Sequence, residues 1–446
     1  MPRFIVIGIT DNPRPWFPPE VQETIQSAKV FSGGKRHHEI VAPLLPEGAE
    51  WIDITVPLEG VFNAYRLRSD AAKTIVVFAS GDPLFFGFAN TLKREFPEAE
   101  MQVFPTFNSL QMLAHKLVMP YHDMRIVSLT GRPWQEFDRA LIERAPKIGV
   151  LTDKAHTPAA IAQRMLEYGY TGYNMCVGEH LGNPERERVT TLTLDDAAGK
   201  EFAMPNCVIL RPTPNPSRGG RGEAGAEMAS RNESLPLRGD LEGPFFGLPD
   251  SSFALLDGRE KMITKMPIRL LTLQALELPT KKVFWDIGAC TGSVSIEARL
   301  LFPHLHIEAF EIRPECEAII KENARRFGAM GLEIHIGDFS LTPDPSPKGE
   351  GRPDAVFIGG HGGKLKAIMA KVVEVMAPGG VIVMNSVTTP VVEQMTNHRP
   401  GSHQLWDEAC AELGLRQEPT MHVAIDDYHP IEILKAYKPI LLHLSV

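Results

Sequence analysis

Short apolar runs rich in β-branched residues alternate with longer amphipathic stretches along most of the chain. In the first half, the short runs fall at residues 4–9, 74–79, 101–104, 125–129, 147–151 and 206–210. Helical spacing of apolar positions marks residues 19–28 and 110–117 between them. Strands that alternate with helices are typical of α/β proteins, so this pattern predicts an α/β fold for the first half.

The second half repeats the alternation more regularly. Strands are predicted from Val283 and at residues 306–312, 332–336, 354–358 and 381–385, with helices at 267–276, 314–328 and 364–376. Three further β-rich runs follow at residues 420–425, 431–436 and 439–444. The order predicts a five-stranded parallel sheet with intervening helices, completed by a terminal antiparallel hairpin.

A change of composition separates the two halves. Residues 212–243 are rich in Pro, Gly, Ser, Arg and Glu and poor in apolar residues, which is typical of a flexible linker. The segment at 213–217, Thr-Pro-Asn-Pro-Ser, returns as Thr-Pro-Asp-Pro-Ser at 342–346 without any apolar face that stacking could bury. We therefore predict domains at 1–212 and 246–446, a linker at 213–245, and an inserted loop at 341–353.

The composition limits the class of protein. A length of 446 residues allows two or three domains, and 43% hydrophobic with 23% charged residues is typical of globular chains. No apolar run reaches the roughly 18 residues of a bilayer span, and the N-terminus lacks a signal-peptide pattern, so we expect a cytoplasmic protein without membrane contact. A net charge of −9 argues against nucleic acid as a partner. The five cysteines never form a C-x-x-C pair, so neither disulfides nor a metal site is predicted.

The most informative stretch is the turn after the strand at Val283, which reads Asp286-Ile-Gly-Ala-Cys-Thr-Gly292. Small residues let backbone approach a ligand, and the helix that follows presents unpaired N–H groups and a positive dipole end. The spacing is neither G-x-G-x-x-G nor a P-loop. It resembles the first motif of the class I S-adenosylmethionine (SAM) methyltransferases, the alternative being an ordinary turn of an α/β domain.

Two acidic residues and a glycine cluster extend this resemblance. Glu311 ends the next strand roughly 20 residues after Gly292, a distance at which a carboxylate can bind ribose hydroxyls. The resemblance implies that Asp338, after the third strand, faces the adenine amine. After the fourth strand comes Gly359-Gly-His-Gly-Gly-Lys364, where Leu365 replaces the magnesium-binding residue of a P-loop. Such a turn can instead bring backbone close to a sulfonium and a large flat substrate.

Motifs of the first half carry a second resemblance. Ser80-Gly-Asp-Pro-Leu-Phe-Phe-Gly87, the turn at 108–111, Thr130-Gly-Arg132 and Glu179-His-Leu-Gly182 occur in the order seen in tetrapyrrole (corrin and porphyrin) methylases. Residues 31–37 also resemble a Gly-Gly-x-Arg turn of the branch that methylates late precorrins. The resemblance implies a two-lobed α/β fold that binds SAM between its lobes.

The chain departs from these families at three points. In the first half, the glycine-rich loop that the tetrapyrrole methylases have after their first strand survives only as Gly8-Ile-Thr-Asp-Asn-Pro13. Thr130 stands where those methylases have histidine. In the second half, Cys290 stands where the methyltransferase motif Gly-Ala-Gly-x-Gly has its middle glycine. The side chain of Cys290 is expected to crowd the cofactor unless the turn relaxes. Replacing Cys290 with glycine is therefore expected to tighten SAM binding, or to change nothing if the turn has adapted.

The second half also resembles the decarboxylating precorrin methyltransferases, through residues 262–265, 286–298, 310–315, 336–338, 357–363 and 379–385. Together the resemblances imply an N-terminal two-lobed tetrapyrrole-methylase fold joined to a C-terminal class I SAM methyltransferase (Rossmann-like) fold. They imply methylation of a late precorrin, with or without cobalt, at carbon 5 by the first half. The second half would methylate carbon 15 and remove the ring C acetate carboxylate, in cobalamin biosynthesis. Each domain is expected to bind one SAM, and the chain to form a homo-oligomer.

The alternatives are an RNA or protein methyltransferase, a fusion active only in its second half, an NAD-dependent dehydrogenase and a non-catalytic scaffold. No catalytic triad is expected, because alignment of an already activated methyl group can supply most of the rate. The predicted cofactor-binding residues are Gly8, Ser80, Gly81, Asp82, Pro83, Ser109, Thr264, Asp286, Gly288, Ala289, Cys290, Thr291, Gly292, Glu311, Asp338 and Phe339. The predicted substrate-binding residues are Arg132, Lys265, Arg269, Gly359, Gly360, His361, Gly362, Gly363 and Lys364.

Overall fold

Three β-sheets organise the computed structural model, which describes residues 2–68, 74–213, 246–341, 351–387, 401–425 and 430–440. The chain divides into two units. The first comprises Met1–Pro133, Ala145–Leu166 and Gly172–Gly220, and the second comprises Trp134–Arg144, Glu167–Thr171 and Arg221–Val446. Apart from Thr213, the predicted linker lies outside the described residues, as do residues 342–350 of the predicted inserted loop.

The first sheet is parallel throughout and has the strand order β3-β2-β4-β1-β5. Its strands are β1 (Arg3–Ile9), β2 (Val30–Gly33), β3 (Glu50–Asp53), β4 (Thr74–Ser80) and β5 (Met101–Phe104). The accompanying helices are α1 (Pro19–Ser27), α2 (Lys35–Val41), α3 (Glu59–Arg66), α4 (Phe88–Glu95) and α5 (Ser109–Lys116). The central strands β1 and β4 are almost wholly buried, which explains their continuous apolar sequence.

The second sheet is mixed, with the order β6-β7-β10-β8-β9. Only β6 and β7 are parallel, and the other neighbours are antiparallel. The strands are β6 (Arg125–Ser128), β7 (Ile148–Leu151), β8 (Tyr173–Glu179), β9 (Arg188–Leu192) and β10 (Asn206–Pro212). The helices in this part of the chain are α6 (Gln135–Ile142), α7 (Pro158–Glu167) and α8 (Leu194–Ala198). Two sheets in succession agree with the predicted two-lobed first half.

The third sheet has the order β13-β12-β11-β14-β15-β18-β16, with β17 paired to β18. Its parallel strands are β11 (Val283–Ile287), β12 (His306–Glu311), β13 (Leu332–Ile336), β14 (Ala355–Ile358) and β15 (Val381–Val387). The antiparallel strands are β16 (Arg416–Gln417), β17 (Met421–Val423) and β18 (Ile431–Tyr437). The helices are α9 (Met266–Ala275), α10 (Ser293–Leu301), α11 (Glu315–Phe327), α12 (Leu365–Val375) and α13 (Ser402–Glu412).

Strand order reverses between β11 and β14, because the chain first runs outward through β12 and β13 and then returns to the other side. Such a reversal opens a crevice at the carboxyl ends of the strands, where ligands bind in open α/β sheets. The predicted five parallel strands and the antiparallel hairpin are confirmed. The strand predicted at 439–444 is not: residues 439 and 440 are not in a strand, and the remainder lies outside the described residues.

Two helix faces explain the packing of the third sheet. On one side, Trp285, Phe310 and Trp406 belong to an apolar cluster that includes buried residues of α12 and α13. On the other side, Phe284, Phe357 and residues of α9 and α10 form a second cluster. Among the described residues, no helix combines the length and apolar content that crossing a bilayer requires.

Gly8, near the end of β1, lies very close to the backbone of the segments that follow β4 and β5. An added Cβ at Gly8 would lie 1.9 Å from the carbonyl oxygen of Gly81 and 2.9 Å from the amide nitrogen of Thr106. Both neighbours are backbone atoms, so Gly8→Ala should lower the free energy of unfolding by about 1–3 kcal/mol. Chemical denaturation of the two proteins measures the difference.

The matched control for Gly8→Ala is Gly60→Ala. Gly60 lies within α3, and an added Cβ meets nothing within 4 Å. Because alanine is the better helix former, this variant should be neutral or more stable by up to about 1 kcal/mol. Equal stability of the two variants would show that the backbone atoms of Gly81 and Thr106 do not constrain Gly8.

Candidate cofactor and substrate site

A cavity of about 770 Å³ lies within the second unit, at the carboxyl ends of the parallel strands of the third sheet. Its wall is formed by the turn after β11, the end of β12, the loop after β13, the glycine cluster after β14, and residues just before α9. Its size is within the range of pockets that enclose small molecules. The cavity is where sequence reasoning places the C-terminal site.

The turn after β11 is held by hydrogen bonds to the neighbouring strand. The amides of Gly288 and Ala289 donate to the carbonyl of Phe310 at 2.8 and 3.1 Å. Gly288 has a φ of +80°, and an added Cβ would lie 2.7 Å from the amide nitrogen of Gly360. Glycine is therefore required at 288 for two reasons: a left-handed backbone and contact with another backbone segment.

Glu311 is fixed by backbone donors rather than by a cation alone. Its Oε2 accepts the amide of Cys290 at 2.8 Å, and its Oε1 accepts the amides of Ile312 and Arg313 at 2.9 and 3.0 Å. The side chain is 2% exposed, yet the residue lines the cavity. The carboxylate is thus positioned before any ligand binds, and Oε2, which accepts a single amide, retains acceptor capacity for a hydroxyl group.

Two buried polar atoms in this turn have no hydrogen-bond partner among the described residues, namely Asp286 Oδ1 and Thr291 Oγ1. The other Asp286 oxygen accepts the amide and the hydroxyl of Ser295 at 3.2 and 2.5 Å. Burial, with a smaller contribution from the nearby Glu311 carboxylate, raises the pKa of Asp286 to about 6 against the lowering effect of the Ser295 hydrogen bonds. Unpartnered buried groups that line a cavity indicate a polar ligand, and two carboxylates favour a cationic one.

Cys290 adopts a left-handed backbone conformation, which favours glycine, with a φ of +50°. Its Sγ lies 3.6 Å from Arg313 Nη1, and it packs with Cys316 in a small apolar cluster. The thiol therefore has room beside the turn, with 8% of the residue exposed. Whether cofactor binding changes on substitution by glycine stays a prediction.

Asp338 and the glycine cluster meet through an ion pair. Asp338 Oδ2 contacts the ammonium of Lys364, and its Oδ1 accepts the amide and hydroxyl of Ser340 at 3.0 and 2.6 Å. The hydrogen bond from Lys364 lowers the pKa of Asp338. His361 is also engaged: its Nδ1 accepts the amide of Gly363, so its Nε2 donates to Ser402 Oγ at 3.1 Å. Burial lowers the pKa of His361, so this ring is neutral at pH 7.

Most predicted residues of the second half meet at the cavity, but three do not line it. Arg269 was predicted to hold a substrate carboxylate, and this prediction is wrong for geometric reasons. Its side chain is fully buried and donates to Glu297, Asp250 and the carbonyls of Leu248 and Thr264. Gly292 starts α10 with a φ of +72° beside Ile320. Gly363 also lies outside the wall.

Sequence reasoning missed several polar residues that line the cavity, among them Lys261, Arg313 and Asn385. The Nδ2 of Asn385 donates to the hydroxyl of Thr272 at 3.0 Å, which fixes the amide at the end of β15. Arg313 follows Glu311 by two residues, so its position near the cavity could have been predicted from the end of β12. Lys261 precedes α9 in a short 3₁₀ turn, and only the tertiary structure brings that turn to the cavity.

In the first unit, the predicted residues lie at the end of β1, at the end of β4 and in the loop after it, at the start of α5, and in the loop after β6. Gly81 has a φ of +61°, and its amide donates to the carbonyl of Ile9 at 2.8 Å. Asp82 caps the turn by accepting the amide of Leu84 at 2.9 Å, and Pro83 is buried beside it. Ser109 begins α5 and hydrogen-bonds the thiol of Cys207. Arg132 donates to Ser128 at 2.7 Å and lies over the ring of Phe86.

Ser80 belongs to a polar network whose other members were not predicted as site residues. Its hydroxyl oxygen lies 2.7 Å from Arg36 Nη2 and 2.9 Å from His37 Nε2. Burial lowers the pKa of His37 to about 4, and Nδ1 accepts the amide of Gly34, so Nε2 is the donor. Because two donors already reach the Ser80 oxygen, its own hydrogen points to a third group.

The network continues to a buried carboxylate. Arg36 Nη1 donates to Asp11 Oδ1 at 2.7 Å, and His180 Nδ1 donates to Asp11 Oδ2 at 2.8 Å. Arg186 donates to the other ring nitrogen of His180 at 2.8 Å, which fixes the tautomer. The network thus joins loops after β1, β4 and β8 at one place. The signal for it was the motif at residues 31–37, which contains Arg36 and His37.

Gly288→Ala tests the close approach in the second unit. The added methyl would meet the backbone of Gly360 at 2.7 and 2.8 Å, so the turn must shift. We expect binding of S-adenosylhomocysteine by this unit to weaken more than tenfold and stability to fall by about 1–3 kcal/mol. Calorimetric titration and denaturation measure the two effects. Gly199→Ala is the control, because nothing lies within 4 Å of its added Cβ and the residue does not line the cavity; equal effects would contradict the explanation.

Asp286→Asn should remove a pH-dependent cost. The pKa of Asp286 rises from 3.8 to about 6 on folding, so the folded chain holds this proton more tightly than the unfolded chain. The group therefore destabilises the fold increasingly as pH rises from about 4 to about 6, by up to about 3 kcal/mol. The variant should gain most relative to the parent above pH 6 and least near pH 4. A stability difference independent of pH would refute this origin.

Comparisons with known proteins agree with this geometry. A model of tetrapyrrole (corrin/porphyrin) methylases matches residues 3–198, and a model of the precorrin methyltransferase domain matches residues 257–403. A precorrin-6Y C(5,15)-methyltransferase (decarboxylating) from Sinorhizobium sp. is 30% identical over 398 residues, which cover 89% of this chain and 87% of the relative. The similarity therefore extends over both halves.

Two relatives from Salmonella typhimurium each match one half. A cobalt-precorrin-7 C(5)-methyltransferase is 30% identical over 205 residues, covering 46% of this chain and 97% of that protein. A cobalt-precorrin-6B C(15)-methyltransferase (decarboxylating) is 39% identical over 132 residues, covering 30% of this chain and 66% of that protein. The predicted fusion of two methyltransferases is confirmed: the chain belongs to the family of decarboxylating precorrin-6Y C(5,15)-methyltransferases.

Proposed function

We propose that this enzyme methylates a late precorrin at carbons 5 and 15 and removes the ring C acetate carboxylate, each half using its own SAM. The observation that supports the C-terminal assignment best is the cavity beside Asp286 and Glu311, which extends to the glycine cluster at Gly359–Gly362. The division of labour follows the two Salmonella relatives, each of which corresponds to one half.

The residues of the C-terminal cavity fit SAM. The positioned Oε2 of Glu311 can accept a ribose hydroxyl, and Asp338 can accept from the adenine amine. The unpartnered oxygens of Asp286 and Thr291 are available to the polar amino-acid end. When bound, SAM supplies a methyl group that is already activated as a sulfonium. The two carboxylates Asp286 and Glu311 would favour that positive charge electrostatically.

The substrate would lie on the glycine-cluster side of the cavity. Gly360 and Gly362 present no side chain there, so a flat macrocycle can approach the backbone closely. Lys261, Lys265, Arg313 and Lys364 line the cavity and can pair with acetate and propionate carboxylates. His361 is neutral and bonded at both nitrogens, so it orients the loop rather than binding an anion.

Positioning supplies the chemistry that these residues can support. The nucleophile is an electron-rich carbon of the macrocycle, so aligning it with the methyl group and excluding water lowers the barrier without a dedicated base. In the decarboxylation, the conjugated ring accepts the electron pair left by carbon dioxide. The protein's part is to keep the remaining carboxylates fixed.

In the first unit, the site is formed at Ser80 and the loops around Gly8 and Gly81. The available hydroxyl hydrogen of Ser80 donates to an acceptor oxygen of a bound ligand, and Arg36 adds positive charge beside it. The glycine-poor loop after β1 is stabilised by Asp11 through Arg36 and His180. We infer that this network replaces the family's glycine-rich loop in shaping the site.

A product-mass experiment on the full-length chain tests the assignment. With SAM and the late precorrin, the parent enzyme should add two methyl groups and release one carbon dioxide. Glu311→Gln should slow the methylation coupled to decarboxylation by at least about tenfold, and Ser80→Ala should slow only the other methylation. Glu322→Gln, on the exposed face of α11, is the control and should behave like the parent.

Mixing the two variant enzymes distinguishes two explanations for the loss of both reactions in one variant: the reactions must occur in a fixed order, or they share one site. If each half catalyses one reaction, a mixture of the Glu311→Gln enzyme and the Ser80→Ala enzyme should restore the doubly methylated, decarboxylated product. The division between halves would be refuted if the mixture failed to restore this product. It would also be refuted if Ser80→Ala lost both reactions and the Glu311→Gln enzyme did not rescue them.

A further inference from the structure

An unusual group of charged side chains occupies one face of β12 and β13. Parallel strands buried in a sheet are normally apolar on both faces, but on the buried strand β12 His306 and Glu308 alternate with apolar residues. Glu333 and His335 lie at the exposed positions of the adjacent edge strand β13. Glu308 and Glu333 are direct neighbours in the register of the two strands. Two carboxylates placed side by side are destabilising unless something neutralises them.

The geometry of this group is that of a metal centre. His335 Nε2 lies 2.9 Å from Glu308 Oε2, and His306 Nε2 lies 3.6 Å from Glu308 Oε1 and 3.7 Å from Glu333 Oε1. The ligand atoms of Glu308, Glu333 and His335 all lie within 4.8 Å of one another. Ligands at about 2.0–2.1 Å from a tetrahedral ion are separated by roughly 3.3 Å, which is within the range of these distances.

Surrounding groups hold these side chains in place. The indole N–H of Trp285 donates to Glu308 Oε1 at 3.0 Å, and the imidazole of His335 stacks on Phe310 with ring centres 4.7 Å apart. Glu308 is 4% exposed, whereas the side chains of His335 and Glu333 are 43% and 57% exposed. The group thus has one buried, oriented ligand and an open side through which an ion can enter.

We propose that Glu308, Glu333 and His335 bind a divalent first-row transition ion of the zinc class, with His306 orienting the second oxygen of Glu308 or completing the coordination. Imidazole with carboxylates suits zinc, cobalt and related ions better than magnesium or calcium. The ion offsets the repulsion between the adjacent carboxylates and ties the edge strand β13 to β12. The site is structural and independent of the proposed methylation.

A second group that includes cysteines is a weaker candidate and serves as a contrast. Cys290, Glu311 and Cys316 also lie within bonding range of one ion. However, the Arg313 guanidinium lies 3.6 Å from Cys290 Sγ, and burial raises the pKa of both thiols. A nearby cation and protonated sulfurs both disfavour a metal there.

Cobalt titration of the tag-free, chelator-treated full-length enzyme tests the proposal. Bound Co²⁺ should give the visible absorption bands typical of a cobalt ion with a low coordination number. The near-ultraviolet thiolate charge-transfer band that cysteine ligands would add should be absent. Zn²⁺ should displace it and raise the thermal unfolding midpoint, whereas Mg²⁺ should do neither. Glu333→Gln and His335→Gln should each weaken cobalt binding at least about tenfold.

Two controls make the outcome decisive. His422→Gln removes a histidine that is 71% exposed and lies outside this group, and Cys290→Ser removes the thiol of the contrasting group; both should bind cobalt like the parent. Circular dichroism without metal establishes that Glu333→Gln and His335→Gln are folded. Cobalt binding that survives in those two variants, depends on Cys290, or is absent from the parent would overturn the proposal. In the last case the histidines serve only as partners of the carboxylates.

Discussion

The C-terminal site depends on the contact between the backbone of Gly288 and that of Gly360. These residues follow β11 and β14, the two strands between which the order of the sheet reverses. A side chain at 288 would separate the two turns, and the cavity is formed by both. One steric constraint thus brings the turn after β11 and the glycine cluster after β14 into the wall of one cavity, which Glu311 also lines.

Electrostatics adds a second constraint on this site. Asp286 and Glu311 are both nearly inaccessible to solvent, and Glu311 raises the pKa of Asp286 beyond the effect of burial. Backbone amides donate to both oxygens of Glu311, but Asp286 keeps an unpartnered oxygen among the described residues. Part of the folding free energy is thus stored as a desolvated carboxylate that a positively charged ligand can relieve.

The first half solves a related problem with different residues. Its loop after β1 lacks the family's run of glycines, and the loop is instead stabilised by Asp11, which accepts from Arg36 and His180. Arg36 then reaches Ser80 at the end of β4. A glycine-rich loop achieves close approach through backbone freedom, whereas this chain fixes the loop with charge-assisted hydrogen bonds. Gly8 and Gly81 remain because their backbones are too close for a Cβ.

The sequence by itself determined the alternation of strands and helices, the two fused methyltransferase halves, and the positions of Asp286, Glu311 and Asp338, because periodicity and strand-end spacing are local properties of the chain. It did not reveal α13, whose apolar face is weakly periodic, or the strands β2 and β3. Tertiary structure alone decided that Arg269 is buried with Glu297 rather than exposed to substrate, that Lys261 reaches the cavity, and that Glu308 and His335 meet across two strands. Each of these depends on which distant segment packs against a side chain, and that information is absent from local sequence pattern.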